Sequence, residues 1–173
     1  VADADGSTTA WNLIKGYAFA VQNGAEVISI SMGSLADIPA LSDVLEWAEG
    51  YKAVTVAAAG NHNFQELLYP AEYSHAISVT GVNALDVKTA YSCFDNHARA
   101  SAPSDGIYST WWDGTMGVWS GTSFGTPIVA AAIADGLRKT RHPVTTDSVR
   151  FVARTYGDNI DPFNPDYQGE LGR

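Results

Sequence analysis

The residues best suited to chemistry lie in one segment, Ser120-Gly121-Thr122-Ser123-Phe124-Gly125-Thr126-Pro127. A glycine-containing turn delivers Ser123 to the start of an apolar helix, which we predict from about Ser123 to Lys139. A hydroxyl at the N-terminal end of a helix lies where developing negative charge is stabilised, so Ser123 can act as a nucleophile if a base is within reach. The alternative is that Ser123 only caps the helix, which is a common use of serine.

Two strand ends supply further candidates. The small-residue run Val54–Ala59 leads into Gly60-Asn61, and ligands of open parallel sheets bind at the carboxyl ends of the strands. The amide of Asn61 can donate to an oxyanion, although Gly-Asn is also frequent in plain turns. The run Val27–Ser31 leads into Met32-Gly33, where an exposed backbone edge can pair with an extended peptide.

Helix and strand signals alternate along the chain. A helix capped by Ser7-Thr8-Thr9 stops at Gly24, and a second helix fits Ala40 to Glu49. Alternating helices and strands with short connections are typical of a parallel sheet covered by helices. The predicted strands are Val27–Ser31, Val54–Ala59 and Ala76–Thr80, with shorter strand-like pieces at Ala90–Phe94, Gly106–Thr110 and Gly117–Trp119.

The C-terminal part is predicted to be helical and then irregular. The helix Ser123–Lys139 is nearly uncharged, which predicts burial on most of its sides. The basic run Arg138–Arg141 falls at its end, where the helix dipole favours cations. A last amphipathic helix is predicted from Thr146 to Arg154, and the polar tail 157–173 is predicted to be irregular. We expect residues 1–173 to form a single domain.

The composition excludes several classes of protein. Of the 173 residues, 46% are hydrophobic and only 17% are charged, which is typical of a globular chain with a buried core. Ten basic residues against 19 acidic ones give a net charge of −9, which argues against nucleic acid and anionic membranes as partners. No stretch of about 18 apolar residues exists, so a membrane-spanning helix is excluded. Cys93 is the only cysteine, so neither an internal disulfide nor a cysteine-based zinc site can form.

Several segments taken together resemble the subtilisin-like serine proteases. Each one alone is a weak signal, but their order and spacing agree with this family from about Ala4 to Gly172. The segments are Ile28–Gly33, Ala57–Asn61, Tyr69-Pro70-Ala71 with the following Ala76–Val79, Ala100–Gly106 and Ser120–Pro127.

The resemblance implies both a fold and a mechanism. The fold would be α/β, with a mostly parallel sheet in three α/β/α layers and a cis peptide at Tyr69-Pro70. Ser123 would be the acyl-forming nucleophile that attacks peptide or protein substrates, and the Asn61 side chain and the Ser123 backbone N–H would form the oxyanion hole. The implied substrate-binding residues are Ala58, Ala59 and Gly60 on one wall and Ser31, Met32 and Gly33 on the other.

Two members of the family's triad have no counterpart in the sequence. The catalytic Asp and His precede the Ser in this family, in segments that would lie before Val1. We therefore expect a catalytic domain truncated at its N-terminus, inactive by itself and completed by the missing N-terminal part. His62 is not expected to substitute as the base, because the base must sit on the other side of Ser123. The remaining histidines, predicted to be surface or structural residues, are His75, His97 and His142.

Two other functions stay open at this point. A noncatalytic peptide-binding module would keep both walls of the groove but would need neither Ser123 nor Asn61. The stretch Gly121–Gly125 also matches the Gly-x-Ser-x-Gly pattern of α/β hydrolases, whose elbow needs a strand leading into the Ser and a later acid and His. No cofactor is expected; the resemblance allows calcium, for which we assign no ligands. Secretion is expected from the family.

Overall fold

The central sheet of this computed structural model, which describes residues 1–140 and 145–172, contains four parallel strands. They are β1 (Val27–Ile30), β2 (Val54–Ala58), β3 (Ala76–Val82) and β4 (Ala100–Pro103). Their order in the sheet follows their order in the chain, and every neighbouring pair is parallel. Strands β2 and β3 are buried along their whole length, as expected for β-branched and small residues in a sheet with both faces covered.

Two helices cover each face of the sheet. The first two helices share one hydrophobic core with alternate residues of β2, and the last two share a second core with the residues in between. Successive strand residues point to opposite faces, which is why a single strand can contribute to both cores. The predicted three-layer α/β/α arrangement is confirmed. The helices are α1 (Ala10–Gln22), α2 (Pro39–Gly50), α3 (Thr122–Thr140) and α4 (Thr146–Tyr156).

The helix ends follow local capping rules. The side chain of Thr9 accepts a hydrogen bond from the Asn12 N–H at 3.2 Å and so caps α1, within the predicted capping segment. Gly24 has a φ of +79° just after this helix, in the left-handed region that terminates helices. Helix α4 begins with a reciprocal capping box between Thr145 and Ser148.

The region before β4 differs from its prediction. Ala90–Phe94 forms no strand, because its N–H groups pair with loop carbonyls: Cys93 N–H donates to Gly60 O at 2.9 Å and Phe94 N–H donates to Phe64 O at 3.0 Å. Cys93 is buried and lies in this loop rather than in a strand. The fourth strand of the sheet is β4 (Ala100–Pro103). The sequence identifies these residues only as part of a family segment and predicts no strand there.

The predicted burial of α3 on most of its sides is wrong. One stripe of the helix faces the sheet, whereas Ile128 is 43% exposed and several alanines on the outer side are exposed. The buried positions recur at about helical spacing, so the helix packs through one face only. No residue within 1–140 or 145–172 covers its outer face completely. The buried stripe consists of Thr122, Gly125, Thr126, Ala130 and Ile133.

A hairpin outside the sheet leads into α3. Its strands β5 (Ile107–Thr110) and β6 (Met116–Trp119) are antiparallel and agree closely with the predicted strand-like pieces. Trp111 stacks on Trp119 with ring centroids 4.3 Å apart. A Cβ at Gly117 would lie 2.8 Å from the Trp119 ring, so a larger residue here would have to displace that ring.

The C-terminal tail is irregular, as predicted, but it is packed against the sheet. Its two short 3-10 turns span Asp161–Phe163 and Pro165–Tyr167. Leu171 is fully buried, and its carbonyl accepts hydrogen bonds from the hydroxyls of Thr80 at 2.7 Å and Ser101 at 2.5 Å. The tail therefore forms part of the wall beside β3 and β4.

None of the helices in the described part of the chain is long and apolar enough to cross a bilayer. The sequence predictions for Arg141 and His142 fall outside the described residues.

A buried hydrogen bond fastens α1 to the sheet, and its removal should destabilise the fold. The hydroxyl of Tyr17, which is 1% exposed, donates to Thr55 Oγ1 at 3.2 Å. Tyr17→Phe leaves the Thr55 hydroxyl without this partner, so we expect a loss of about 1 kcal/mol in the free energy of unfolding, measured by urea denaturation. Tyr51→Phe is the matched control, because Tyr51 is 66% exposed. Equal stability of the two variants would contradict the prediction.

Glu49 joins three separate segments on its own. It lies at the end of α2, where its Oε1 accepts the Thr146 N–H at the start of α4 and its Oε2 pairs with His75 Nδ1, both at 2.5 Å. Burial by itself would raise the pKa of Glu49, but the hydrogen bonds from Thr146 and His75 outweigh it and hold the pKa below its ordinary value.

The stability contributed by Glu49 should therefore depend on pH. A carboxyl whose pKa is lower in the folded than in the unfolded chain stabilises the fold at neutral pH, and this contribution disappears as the pH falls through the folded-state pKa. We expect Glu49→Gln to lower the free energy of unfolding at neutral pH and to have much less effect at about pH 3. Glu46→Gln, on the exposed side of the same helix, should have little effect at either pH. A Glu49→Gln penalty that grows on acidification would refute this account.

Candidate active site

The predicted site residues meet in a cleft of about 140 Å³ at the carboxyl ends of β1 and β2, beside the start of α3. This is the edge of a parallel sheet where ligands generally bind. The parallel register sets Ile30 beside Ala57, so the two strand ends reach the cleft at the same level. The predicted residues that line the cleft are Ser31, Met32, Gly33, Ala58, Gly60, Asn61 and Ser123.

Ala59 is the one predicted site residue whose side chain lies elsewhere. It is completely buried in the core shared with α1 and α2, because its position in the strand alternation points it away from the cleft. Its backbone N–H donates to Val79 O at 3.0 Å, and its carbonyl accepts from the Leu68 N–H at 2.9 Å. Ala59 thus stabilises the wall of the cleft through its backbone hydrogen bonds, while its side chain packs in the core.

The turn before α3 presents Ser123 to the cleft. Gly121 has a φ of +151°, and its N–H donates to Ser104 O at 2.8 Å. Ser123 follows in the first helical turn, and its own N–H has no backbone acceptor among the described residues. The Ser31 hydroxyl donates to the Ser123 carbonyl at 2.9 Å and ties the end of β1 to this turn. Ser123 is therefore held both by its helix and by the neighbouring strand.

The orientation of the Asn61 amide is fixed by Thr122. Asn61 Oδ1 accepts the Thr122 N–H at 2.9 Å and the Thr122 hydroxyl at 3.0 Å. Two donors on one atom identify it as the oxygen, which leaves the amide NH₂ as the free donor end. A Cβ at Gly121 would lie 3.3 Å from Asn61 Nδ2, so glycine keeps this end uncrowded. The cleft thus contains the Ser123 hydroxyl and two hydrogen-bond donors, the Asn61 NH₂ group and the Ser123 N–H; donors of this kind can stabilise an oxyanion.

Thr122 and Leu68 are cleft residues to which sequence reasoning gave no role. Thr122 is fully buried, and its hydroxyl also accepts the Gly60 N–H at 3.3 Å. A Cβ at Gly33 or Gly60 would lie within 2.8 Å of the Leu68 side chain, so both wall positions require glycine. The position of Thr122 between Gly121 and Ser123 could have indicated a role in the cleft. Nothing in the local sequence indicated such a role for Leu68.

Lys88 braces the loop that follows Asn61. It is only 9% exposed, and its ammonium group donates to Asn63 Oδ1 at 2.7 Å. The Nζ atom lies 4.7 Å from the ring centroid of Phe94 and 4.8 Å from that of Tyr167, within the range of cation–π attraction. Burial lowers the pKa of Lys88. Its partners are distant in the chain, so local sequence patterns do not indicate this role.

The described histidines do not reach the candidate nucleophile. His62 lines the cleft, but its ring stacks on Phe64 with centroids 5.5 Å apart, and it makes no hydrogen bond to Ser123 Oγ. His75 pairs with Glu49, and His97 lies near carboxylates outside the cleft. His142 lies outside the described residues. Among residues 1–140 and 145–172, no side chain hydrogen-bonds to the Ser123 hydroxyl.

One cluster of side chains in the structure could hold a metal ion. Within the described ranges, a single group of three metal-ligating side chains occurs, formed by Glu72, Asp95 and His97. Calcium takes six to eight oxygen ligands and no imidazole nitrogen. These three side chains by themselves therefore do not make up a calcium site, and no step of the chemistry below is assigned to a metal.

Comparison with known proteins gives a consistent result. The model of the subtilase family matches residues 1–155. Thermitase from Thermoactinomyces vulgaris is 38% identical over 130 residues, which cover 75% of this chain and 47% of thermitase. A subtilisin from Bacillus pumilus is 34% identical over 152 residues, which cover 86% and 54% of the two chains. The minor extracellular protease Epr of Bacillus subtilis is 32% identical over 84% of this chain and 22% of its own length.

Solved structures share the fold. A cold-adapted subtilisin-like serine proteinase superposes with a TM-score of 0.83 at 26% identity, covering 90% of this chain and 57% of the other. The prenylagaramide maturation protease PagA superposes with a TM-score of 0.87 at 23% identity, covering all of this chain and 67% of the other. The chain spans about half the length of thermitase and of the pumilus subtilisin. The subtilase family model matches residues 1–155, and the fold is the one found in a solved subtilisin-like proteinase. The chain therefore belongs to the subtilase family.

Proposed function

We propose that this chain supplies the nucleophile and the oxyanion-binding groups of a serine endopeptidase. The observation that carries the proposal is the Asn61 amide, whose oxygen is held by Thr122 so that its NH₂ remains available beside Ser123. A helix cap would need the Ser123 hydroxyl alone, whereas acyl transfer also needs donors for the oxyanion. Membership of the subtilase family agrees with this assignment.

In the proposed reaction, Ser123 Oγ attacks the carbonyl carbon of the scissile peptide bond while a general base takes the hydroxyl proton. The carbonyl oxygen becomes an oxyanion that accepts hydrogen bonds from Asn61 Nδ2 and from the Ser123 N–H. Collapse of this intermediate expels the amine, which receives the proton, and leaves an ester on Ser123. Water then hydrolyses the ester, releases the acid product and restores the hydroxyl.

We assign the general base to a histidine that is not among the described residues. The reaction needs an acceptor within hydrogen-bonding distance of Ser123 Oγ, and the described histidines make no such contact. The described residues on their own are therefore expected to bind peptides more readily than they cleave them.

The substrate is proposed to be an extended polypeptide. The backbone groups of Met32 and Gly33 have no backbone partner among the described residues, so they can pair with a substrate strand. A second cavity of about 190 Å³ continues from these two residues. Its lining is largely apolar, which favours an apolar substrate side chain; it includes Leu13, Ile38, Leu41, Tyr69 and Pro70. We place the protein outside the cell, since Epr is described as an extracellular protease.

Covalent labelling tests the role of Ser123. When the chain is expressed within the whole protein that contains it, a fluorophosphonate probe should label Ser123, and Ser123→Ala should abolish both labelling and peptide hydrolysis. Ser120→Ala is the matched control, because Ser120 is an exposed serine three residues away that bonds to Asp105. Labelling retained in Ser123→Ala would refute the assignment, and peptide binding without any labelling would favour a noncatalytic peptide-binding module.

Removal of the Asn61 amide should slow the chemical step. Asn61→Ala deletes one oxyanion donor, so we expect kcat to fall by about 10²–10³-fold with little change in KM. The measurement is steady-state hydrolysis of a chromogenic peptide by the same whole protein. Asn23→Ala, at the exposed end of α1, should leave kcat unchanged. An Asn61→Ala variant with normal kcat, or one that changes only KM, would contradict the proposed oxyanion hole.

A further inference from the structure

We propose that the hydroxyl of Ser31 is a positioning group for Ser123, where it replaces a backbone N–H that Pro127 cannot supply. The inference rests on the proposed function and gives Ser31 a role beyond that of lining the substrate cleft. Ser31 directly follows β1, Ser123 lies in the first turn of α3, and the two residues are 92 positions apart in the chain. Both of them line the cleft.

Pro127 removes one hydrogen bond from the first turn of α3. In an α-helix, the N–H of each residue donates to the carbonyl four residues earlier. The residue four positions after Ser123 is Pro127, which lies inside α3 and has no N–H. The Ser123 carbonyl therefore lacks its regular helical donor. A proline ring also crowds the carbonyl four residues before it, which favours tilting of that carbonyl away from the helix axis.

The Ser31 side chain supplies a donor in place of that N–H. Its Oγ donates to the Ser123 carbonyl oxygen at 2.9 Å, within the normal range for a hydroxyl donor. Backbone carbonyls that lose their regular partner are commonly satisfied by a side chain in this way. A side chain from the end of β1 thus enters the hydrogen-bond pattern of α3 at the residue that carries the candidate nucleophile.

The neighbouring carbonyl of Thr122 differs in where its hydroxyl partner comes from. Thr122 O accepts the hydroxyl of Thr126 at 2.8 Å, a bond within the helix itself. The hydroxyl that reaches Ser123 O comes from a different element, across the cleft. The hydrogen bond of Ser31 therefore connects the helix to one wall of the cleft, which the bond of Thr126 does not.

This connection sets the spacing between the substrate and the attacking oxygen. Met32 and Gly33, whose backbone is proposed to pair with the substrate, directly follow Ser31. The attacking hydroxyl and one oxyanion donor both belong to Ser123. A misplacement of about 1 Å between reacting groups can cost about 10²-fold in rate. Ser31 acts in this role through Ser123 and does not itself contact the reacting atoms.

The variant Ser31→Ala tests this role in the whole protein that contains the chain. We expect kcat for a chromogenic peptide to fall about tenfold with little change in KM, since alignment rather than binding is lost. Ser29→Ala is the matched control, because Ser29 is an exposed serine two residues earlier, on β1. An unchanged kcat in Ser31→Ala, or a change in KM alone, would overturn the proposal.

A second substitution separates positioning from a general loss of stability. Pro127→Ala restores an N–H four residues after Ser123, so the hydroxyl of Ser31 becomes redundant. In the Pro127→Ala background, Ser31→Ala should therefore lower kcat by less than about twofold. A merely structural effect of Ser31 would be the same in both backgrounds. An equal loss in the two backgrounds would refute the exchange of one donor for the other.

Carbonyl NMR gives an answer that does not depend on turnover. The Ser123 carbonyl can be observed by ¹³C-serine and ¹⁵N-phenylalanine labelling of the Ser123-Phe124 pair and assigned by its absence in Ser123→Ala. Its resonance should shift in Ser31→Ala and move back in Ser31→Ala/Pro127→Ala. A resonance that stays in place in Ser31→Ala sinks this inference alone. If it shifts as expected while Ser123→Ala keeps full activity, the proposed function fails instead, and with it the catalytic role of the contact.

Discussion

The hydrogen bonds from Thr122 to the Asn61 carboxamide oxygen are the interaction on which the candidate active site depends. They connect the end of β2 to the start of α3, two elements that lie 61 residues apart in the chain. Without them the amide could rotate and present either its oxygen or its nitrogen to the cleft. Their net contribution to stability is modest, about 1 kcal/mol each, but they decide which end of Asn61 faces a substrate.

Close approach of the backbone makes this arrangement possible. Gly121 adopts a conformation that L side chains rarely reach, and it leaves space beside Asn61 Nδ2. Gly33 and Gly60, one in each wall, allow the Leu68 side chain to lie against the backbone. The cleft is therefore shaped less by the side chains that line it than by the places where side chains are absent.

The residues that stabilise the fold and the residues that line the cleft lie in different parts of the same strands. Strands β2 and β3 hold the two cores together along their buried lengths, while only the last residues of β1 and β2 reach the cleft. Glu49 and Lys88 each join segments that are distant in sequence and act from outside the cleft. These two charged groups thus connect helices and loops, whereas the donors in the cleft are neutral.

The sequence alone determined the alternation of helices and strands, the parallel sheet and the convergence of Ser123, Asn61 and the Ser31–Gly33 edge. These follow from periodicity, from the turn residues at strand ends and from a resemblance carried by ordered motifs. Only the tertiary structure decided that Ala59 faces the core, that Ala90–Phe94 pairs with loops, that α3 packs through one stripe, and that Thr122, Leu68 and Lys88 support the cleft. The physical reason is that each of these outcomes depends on a partner distant in the chain, and local sequence patterns contain no information about which distant group will satisfy a given donor or fill a given space.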